Sequence, residues 1–338
     1  MSKVRVQMVK PTVISTFAGC GGSSLGYHLA GFQELLAVEW DDNAVQTFKL
    51  NLPDVPVYHG DIAKLTGAEC MRIAGVGVGE LDVFDGSPPC QGFSTAGKRK
   101  FDDPRNSLFK EYARLIQELQ PKVFVMENVT GMVKGYMKQA YLEIMRTLRG
   151  CGYKAKGEIM NAMYYNVPQS RERVIVIGVR GDLGIEPSHP KPQTRPITVR
   201  EAFKDVSKHE EKRILSGFLL EYAKIHTGGW NCDNKKYLSI KGSLAGAMST
   251  KWCSWDKVCG TLPKSEISTT GIIHPDKERY LSLPEMKRIG SFPDDFIFTS
   301  RDKAVERIGN SVPPKLMKAI AEHIRENILN NIEVSHAS

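Results

Sequence analysis

One short stretch has the composition of a loop that performs covalent catalysis. Residues 85–94 read DGSPPCQGFS and follow an apolar, strand-like segment at 81–84. Because proline fixes φ and restricts the residue before it, Pro88 and Pro89 make the path to Cys90 stiff. A flexible basic loop follows, which contains Ser94, Gly97, Lys98, Arg99 and Lys100. This order is typical of a nucleophile beneath a lid that closes on an anionic substrate. A cysteine that is merely packed in a βα loop is the alternative.

Polar residues end three successive strand-like segments near the N-terminus. The first, 12–17, enters the glycine-rich turn AGCGGSSLG at 18–26, the second ends in Glu39 and Trp40, and the third precedes Asp61. Such strand ends meet at the carboxyl edge of a parallel sheet and predict one adenosyl ligand there. Glu39 would accept from the ribose hydroxyls, Trp40 would lie on the adenine, and Asp61 would accept from the adenine amino group. Ser24 replaces the third glycine of a dinucleotide fingerprint, which disfavours a pyrophosphate. Each acid alone could simply cap a helix.

A further carboxylate and two arginines complete the polar set. The run Val123–Met126 is apolar on both faces, which predicts a central strand of a parallel sheet. Glu127 ends it, so burial should raise the pKa of this carboxyl and allow it to donate a proton to a ring nitrogen. Arg171 and Arg173 lie between two predicted strands, where one could reach a base oxygen or phosphate while the other braces a carboxylate. A helix-capping glutamate and a solvated charge pair are the alternatives.

Composition narrows the class of protein. The 338 residues are 41% hydrophobic and 25% charged, with a net charge of +8 that favours a polyanionic partner. We find no apolar run long enough for a bilayer and no signal-peptide pattern, and we expect a cytoplasmic, nucleoid-associated protein. Seven cysteines without regular spacing argue against a disulfide scaffold, and no C-x-x-C pair predicts a metal site.

The regular alternation of strands and helices breaks down after a proline-rich segment at 185–196. Scattered aromatic and basic residues follow, as expected of a loop-built surface that contacts nucleic acid. The candidate DNA-contacting residues here are Trp230, Lys235, Lys236, Lys251 and Trp252. Ser282 and Glu285 then form a predicted capping box, and the segment 308–315 leads into an amphipathic helix through Ile328.

Taken in order, these motifs resemble the cytosine-C5 DNA methyltransferase family. Residues 17–22 (FAGCGG) look like its S-adenosylmethionine loop, and 88–91 (PPCQ) like its catalytic motif. Residues 127–129 (ENV), 169–173 (QSRER) and 309–313 (GNSVP) match its acid, arginine and C-terminal motifs. The match covers nearly the whole chain outside about 204–257. Departures are minor: Cys20 stands where an apolar residue is common, and Gly290 replaces a frequent glutamine.

The resemblance implies an α/β, Rossmann-like methyltransferase fold with a mostly parallel twisted sheet and a small loop-rich target-recognition domain. The catalytic domain would comprise 1–203 and 276–338, and the target-recognition domain 204–275. The cofactor would be S-adenosylmethionine, released as S-adenosylhomocysteine, with no metal. The expected cofactor-binding residues are Phe17, Gly19, Cys20, Gly21, Gly22, Glu39, Trp40, Asp61, Ile62, Pro88, Asn310 and Val312. The expected catalytic residues are Cys90, Glu127, Arg171 and Arg173, and Gln169 joins the DNA-binding candidates named above.

These residues support methylation of a cytosine that is flipped out of duplex DNA. Attack of the Cys90 thiolate on C6 would make C5 nucleophilic, while Glu127 at N3 and an arginine at O2 would stabilise the developing charge. Ser94, Lys98, Arg99 and Lys100 would grip flanking phosphates. An RNA cytosine methyltransferase, a non-catalytic nucleic-acid-binding relative and a nicotinamide oxidoreductase are the competing classes. We expect a monomer and leave open whether a restriction endonuclease accompanies it.

Overall fold

A seven-stranded sheet organises the part of the chain that the structure describes. The computed structural model describes residues 10–89, 107–133, 137–206, 213–226, 229–243, 250–265 and 271–332. The strands are β1 (Thr12–Thr16), β2 (Gln33–Glu39), β3 (Val57–His59), β4 (Val83–Gly86), β5 (Val123–Val129), β6 (Tyr153–Asn161) and β7 (Glu172–Arg180). They lie in the order β3-β2-β1-β4-β5-β7-β6. β1 to β5 pair in parallel, whereas β7 is antiparallel to both β5 and β6. The predicted mostly parallel sheet is confirmed.

Helices cover both faces of this sheet. The connecting helices are α1 (Gly22–Leu29), α2 (Asp42–Asn51), α3 (Gly67–Ala74), α4 (Ser107–Leu119) and α5 (Lys138–Gly150). Val13 on one face belongs to a core with the C-terminal helices, and Ile14 on the other face to a core with α4. Because both faces of the sheet centre are covered, the central strand β5 is apolar and buried at residues 123–126. β5 is central as predicted, but one of its neighbours, β7, is antiparallel, so its surroundings are not those of a purely parallel sheet.

The segment after β7 is loop-rich, as the sequence predicts. It contains α6 (Val199–Ala202), α7 (Phe218–Ile225), α8 (Asn234–Lys241) and the two-residue strands β8 (Lys251–Trp252) and β9 (Ile272–Ile273). A small aromatic core holds it together, with Tyr222, Tyr237 and Trp252 as members. This core has fewer buried residues than the two cores of the large sheet. The segment is therefore built mainly of loops that are held by contacts between side chains.

Three helices then return the chain to the first strands. α9 (Leu283–Gly290) begins with the predicted capping box between Ser282 and Glu285. α10 (Arg301–Asn310), which sequence patterns did not predict, and α11 (Pro314–Ile324) follow, and a π-turn at Arg325–Leu329 extends α11. α11 packs closely on α1. A Cβ placed on Gly26 of α1 would lie only 2.6 Å from Met317 Cβ of α11, so glycine is needed at this contact. Among the described helices, none is long and apolar enough to cross a bilayer.

Candidate active site

The turn after β1 is tied to the end of β2 by one carboxylate. Glu39 is 8% exposed. Its Oε2 accepts a hydrogen bond from Gly19 N at 2.8 Å, and its Oε1 accepts from Trp40 N and Asp41 N at 2.9 Å. Phe17 at the start of the turn has a φ of +54°, an uncommon conformation for a non-glycine residue. The two strand ends that the sequence singled out are therefore locked together.

The surroundings of Glu39 fit an adenosyl group. Trp40, the next residue, has an indole side chain that is 76% exposed. A Cβ placed on Gly19 would meet nothing within 4 Å, so the turn is open on that side. Asp61 is exposed and also caps the next turn, since its Oδ1 accepts from Ala63 N at 3.0 Å. Ile62 is buried beside it. Carboxylate acceptors, an exposed indole and an open glycine turn form a suitable donor and acceptor set for a nucleoside.

The C-terminal segment closes over the same turn. Arg307 of α10 donates to Asp41, and Ser311 Oγ lies 3.4 Å from Cys20 Sγ. A Cβ placed on Gly22 would lie 2.7 Å from Val312 O. Sequence reasoning missed Arg307, because nothing in its local pattern predicts a partner so far away in the chain. The predicted neighbourhood of Val312 and the glycine turn is thus present in the structure.

Two predicted cofactor-binding residues, Cys20 and Asn310, have surroundings that differ from those of Glu39. The Cys20 side chain is buried against Ser311, and burial raises the pKa of its thiol to about 11. Its thiol is therefore a packing group. Asn310 is exposed and lines a cleft of about 410 Å³ together with Lys264 and Glu306. Neither Glu39 nor Trp40 is among the residues that line this cleft.

A buried ion pair stands at the carboxyl end of β5. Arg173 Nε lies 2.7 Å from Glu127 Oε1, and the two side chains are 14% and 11% exposed. Burial raises the pKa of Glu127, and the nearby guanidinium groups of Arg173 and Arg171 partly oppose this effect. The raised pKa predicted from the apolar strand is confirmed in direction. The structure assigns the bracing of the carboxylate to Arg173.

Arg171 lies deeper than a residue that reaches for a substrate. It is 1% exposed and its Nη2 donates to Gly309 O at 2.8 Å. Burial, followed by repulsion from Arg173, lowers the pKa of Arg171 to about 9, which leaves the guanidinium charged at neutral pH. Its Nε has no partner among the described residues. The two arginines therefore have different surroundings, which residue spacing alone does not reveal.

The loop that leads to the cysteine is anchored on both sides. Asn128 Nδ2 donates to Pro88 O at 3.0 Å, and Ser87 Oγ donates to Phe17 O at 3.5 Å. Asn128 directly follows Glu127, so this acid and the segment that leads to Cys90 meet at one strand end. Cys90 and the predicted phosphate-gripping residues lie outside the described residues; the latter are Ser94, Lys98, Arg99 and Lys100.

Sequence reasoning missed a buried acid, Asp85, and a half-buried one, Glu34, near the glycine turn. Asp85 is 4% exposed, and Tyr27 OH donates to its Oδ1 at 3.3 Å. Glu34 Oε1 accepts from Ser24 Oγ at 2.8 Å. Burial, with a smaller contribution from Glu34, raises the pKa of Asp85 well above its usual range, and burial raises the pKa of Glu34 to about 7. An acid that directly follows the apolar pair Val83 and Phe84 was the available signal for Asp85.

Two of the predicted DNA-contacting side chains are buried. Gln169 is 1% exposed, and main-chain groups of Leu262 and Ile289 bind both ends of its amide. Trp252 is 3% exposed and stacks on His226 with ring centroids 4.4 Å apart. A small domain needs large apolar side chains inside, so this indole forms core rather than surface. Neither side chain is placed to contact DNA.

The other four described candidates lie nearer the surface. Lys235 is exposed at the start of α8. Lys236 Nζ donates to Ile225 O and Lys251 Nζ donates to Asn231 Oδ1. Trp230 is half-buried and packs against Gly260, where an added Cβ would lie 2.3 Å from its ring. Lys235 is therefore the described candidate with the freest access to a polyanion.

Two cysteines of the loop-rich segment lie side by side. Cys253 Sγ and Cys259 Sγ lie 3.4 Å apart in the buried core. Within the described ranges, no group of three or more histidine, cysteine, aspartate or glutamate residues is arranged to hold a metal ion. The two sulfur atoms pack as small apolar groups.

These features describe an α/β protein with a sheet edge suited to a nucleoside and a buried carboxylate–guanidinium pair at the end of β5. The family model for C-5 cytosine-specific DNA methylase matches residues 11–326. Type II methyltransferase M1.HphI of Haemophilus parahaemolyticus is 35% identical over 347 residues, which cover 96% of this chain and 89% of that protein. M.XorII of Xanthomonas oryzae pv. oryzae is 32% identical over 362 residues, covering 94% and 85%.

Solved structures agree with this relationship. A DNA modification methyltransferase encoded within an Escherichia coli prophage superposes with a TM-score of 0.74 at 26% identity, covering 95% of this chain and all of that one. Spodoptera frugiperda DNMT2, at 17% identity and a TM-score of 0.66, shares the fold and covers 96% of this chain and all of that one. The chain belongs to the C-5 cytosine-specific DNA methylase family and is a DNA cytosine-5 methyltransferase. These relatives favour DNA over RNA as the substrate. They also favour a methyltransferase over a non-catalytic nucleic-acid-binding protein and over a nicotinamide oxidoreductase.

Proposed function

We propose that the protein methylates C5 of a flipped-out cytosine through a covalent Cys90 adduct, with the Glu127–Arg173 pair as its acid and electrostatic centre. The observation that carries this proposal is the 2.7 Å contact between Arg173 Nε and Glu127 Oε1, at a strand end that also anchors Pro88 through Asn128. The anchor holds the chain two residues before the thiol. The acid and the residue that leads to the proposed nucleophile therefore share one strand end, which supports covalent catalysis there.

The methyl donor that the family implies is S-adenosylmethionine, which supplies an electrophilic sulfonium methyl group when it is bound. Glu39 would accept from its ribose hydroxyls, and Trp40 would stack on its adenine. Asp61 would accept from the adenine amino group. The main chain of residues 19–22 would contact the methionyl part, with Val312 closing the turn from behind. A buried Glu39 with both oxygens directed at main-chain N–H groups keeps this edge preorganised.

Each catalytic side chain has a defined task. The Cys90 thiolate would bond to C6 of the ring, and Glu127 would hold a proton at N3 as negative charge develops there. Its raised pKa supports that role, since a proton on an ordinary glutamate would be lost at neutral pH. Arg173 would orient Glu127 and stabilise charge at O2. Once C5 carries the methyl group, the adduct would collapse: water takes the C5 proton and the Cys90–C6 bond breaks, which restores the thiolate.

The biological setting follows from the named relatives. The matched Type II methyltransferases favour a role in a restriction-modification system, with duplex DNA as substrate and a separate endonuclease as an independent partner. The enzyme would act as a monomer on the bacterial nucleoid. Residues 204–275 would form the target-recognition domain, with Lys235 among its phosphate contacts, and 1–203 with 276–338 the catalytic domain.

Cross-linking to a fluorinated base tests the covalent step. Methylcytosine mapping on treated bacteriophage λ DNA first identifies a modified site, and a duplex with 5-fluorocytosine at that position then replaces the substrate. Fluorine cannot leave as a proton does, so the adduct should persist and mass spectrometry should find it on Cys90. Cys90→Ala should bind S-adenosylmethionine normally and form no adduct. An adduct on another residue, or normal turnover by Cys90→Ala, refutes the proposal.

Replacing the acid tests the second half of the proposal. Glu127→Gln keeps the size of the side chain but removes the acidic carboxyl proton, and its rate should fall about 100- to 10,000-fold with little change in cofactor affinity. Wild-type activity should decline as pH rises through the raised pKa of Glu127, because the proton is then lost. Turnover of Glu127→Gln at the wild-type rate would remove the acid role.

A further inference from the structure

Gln169 joins distant parts of the chain inside the protein. Its side chain is 1% exposed. The Oε1 atom accepts a hydrogen bond from Leu262 N at 3.1 Å, and Nε2 donates to Ile289 O at 3.2 Å. Buried main-chain groups left without partners are costly, so a side chain that serves two of them fixes their separation. Gln169 therefore sets the spacing between the loop at 262 and the end of α9.

The main chain beside Gln169 continues this attachment. Gln169 forms a parallel bridge with Cys259, and Ser170 N donates to Cys259 O at 2.8 Å. Thr261 Oγ1 donates to Ser170 O at 2.8 Å. The segment 259–262, which lies in the proposed target-recognition domain, is thereby bonded to the residues just before the arginines. Any movement of this segment is transmitted to residues 169 and 170.

The arginines that follow connect the same strand to the active site. Arg171 Nη2 donates to Gly309 O, and Arg173 pairs with Glu127. Gly309 in turn lies against the segment that leaves Leu262, since a Cβ placed on Gly309 would lie 2.3 Å from Pro263 O. From Glu172 onward the chain is held in the β7 ladder, which leaves little freedom to absorb a displacement.

We propose that Gln169 is a positioning residue that transmits the placement of the target-recognition domain to the Glu127–Arg173 pair. This inference rests on the roles proposed above for Glu127 and Arg173. Segment 259–262 held in register fixes Gln169, and Gln169 fixes the start of the strand that carries Arg173. The position of the recognition domain is thereby coupled to the geometry of the catalytic acid. This coupling needs no contact between Gln169 and DNA.

The test compares variants that remove one or both amide contacts. Gln169→Met removes both with little change in length, and Gln169→Glu keeps the acceptor for Leu262 N but loses the donor to Ile289 O. Gln117→Met on the exposed face of α4 is the matched control. Single-turnover methylation of unmethylated bacteriophage λ DNA gives the rate constant, equilibrium dialysis gives the affinity for S-adenosylmethionine, and thermal melting reports folding.

We expect Gln169→Met to slow single-turnover methylation about 10- to 100-fold, Gln169→Glu to slow it less, and both to bind S-adenosylmethionine within about twofold of wild type. The double variant Gln169→Met/Arg173→Lys should be no slower than the slower single variant, because both changes disturb one pair. Thr261→Val, at an exposed position, repeats the test from the recognition side if Gln169→Met does not fold.

Two results would overturn the inference alone: folded Gln169→Met methylating as fast as Gln117→Met, or effects of Gln169→Met and Arg173→Lys that multiply. If Gln169→Met does not fold, a Thr261→Val rate equal to wild type has the same consequence. An Arg173→Lys variant with the wild-type rate would instead refute the proposed role of Arg173, and the inference with it. The failure of the coupling and the failure of the catalytic assignment are therefore distinguishable.

Discussion

A single methyl group added at Gly22 should push residues 311–312 away from the glycine-rich turn at 18–26. Gly22 is the first residue of α1, and a Cβ there would lie 2.7 Å from Val312 O and 2.9 Å from Ser311 Cβ. Carbon atoms pack best at about 3.5–4.0 Å, so the segment 311–312 must move by more than about half an ångström. Overpacking of this kind costs about 1–3 kcal/mol, against a gain in helix propensity of at most about 1 kcal/mol.

The expected result for Gly22→Ala is a weaker cofactor site in a folded protein. Displacement of Val312 loosens the turn at residues 19–22, and we expect the Kd for S-adenosylmethionine to rise about tenfold, or about 1.4 kcal/mol. Isothermal titration calorimetry measures the affinity, and urea unfolding the stability. Gly150→Ala is the matched control, because Gly150 ends α5 and an added Cβ meets nothing within 4 Å.

The control should bind the cofactor normally and be equally or slightly more stable, by up to about 1 kcal/mol. The comparison isolates the contact, since both positions are helical and both changes add one methyl group. If Gly22→Ala matches Gly150→Ala in both cofactor affinity and stability, the C-terminal segment does not brace the turn and the reasoning is wrong.

Three further changes test the half-buried acid Glu34, the exposed indole of Trp40 and the buried indole of Trp252. Glu34 has a pKa raised from 4.5 to about 7, so wild-type stability should fall as pH rises from 4.5 through 7, when the unfolded chain has released a proton that the folded protein retains. At about 1.4 kcal/mol per pH unit, reduced by the partial exposure of this side chain, Glu34 contributes about 1–3 kcal/mol to this fall. Urea unfolding of Glu34→Gln should show a fall that is smaller by this amount, because Asp85 and Glu127, whose pKa values burial also raises, still contribute. Trp40→Ala should weaken cofactor binding by about 1–3 kcal/mol in calorimetry while the melting temperature stays unchanged. Trp252→Ala should lose about 3–5 kcal/mol of stability in urea unfolding, whereas a wild-type unfolding curve would mean that this indole is not core.

Much of the fold was predictable because the strands of the sheet have recognisable local sequence patterns. Residues 123–126 are apolar on both faces, and a dry strand flanked by helices has few other architectures available. The capping box at Ser282 and Glu285 is likewise a local feature, and it starts α9 as predicted. The orientation of β7 was not predictable from its own residues, because strand direction depends on which neighbour the chain reaches.

The candidate site was predictable as a set of residue types, but less so as a set of tasks. Arg171 and Arg173 look equivalent in sequence, and only their packing separates a guanidinium against Gly309 from one on Glu127. Gln169 and Trp252 looked like polar and aromatic contacts for DNA, yet both are buried. Polarity in a sequence does not say whether water or another main chain supplies the hydrogen bonds.

The sequence by itself determined the chemistry: a thiol after two prolines, an acid at the end of an apolar strand, and polar strand ends suited to a nucleoside. Those signals are short-range, since backbone restriction, burial and strand alternation act within a few residues. Tertiary structure alone decided that Arg173 braces Glu127, that Gln169 links residues 259–262 to that strand, and that residues 307–312 return to the glycine turn. Such contacts join residues far apart in the chain, and they depend on the summed packing of many elements rather than on any local pattern.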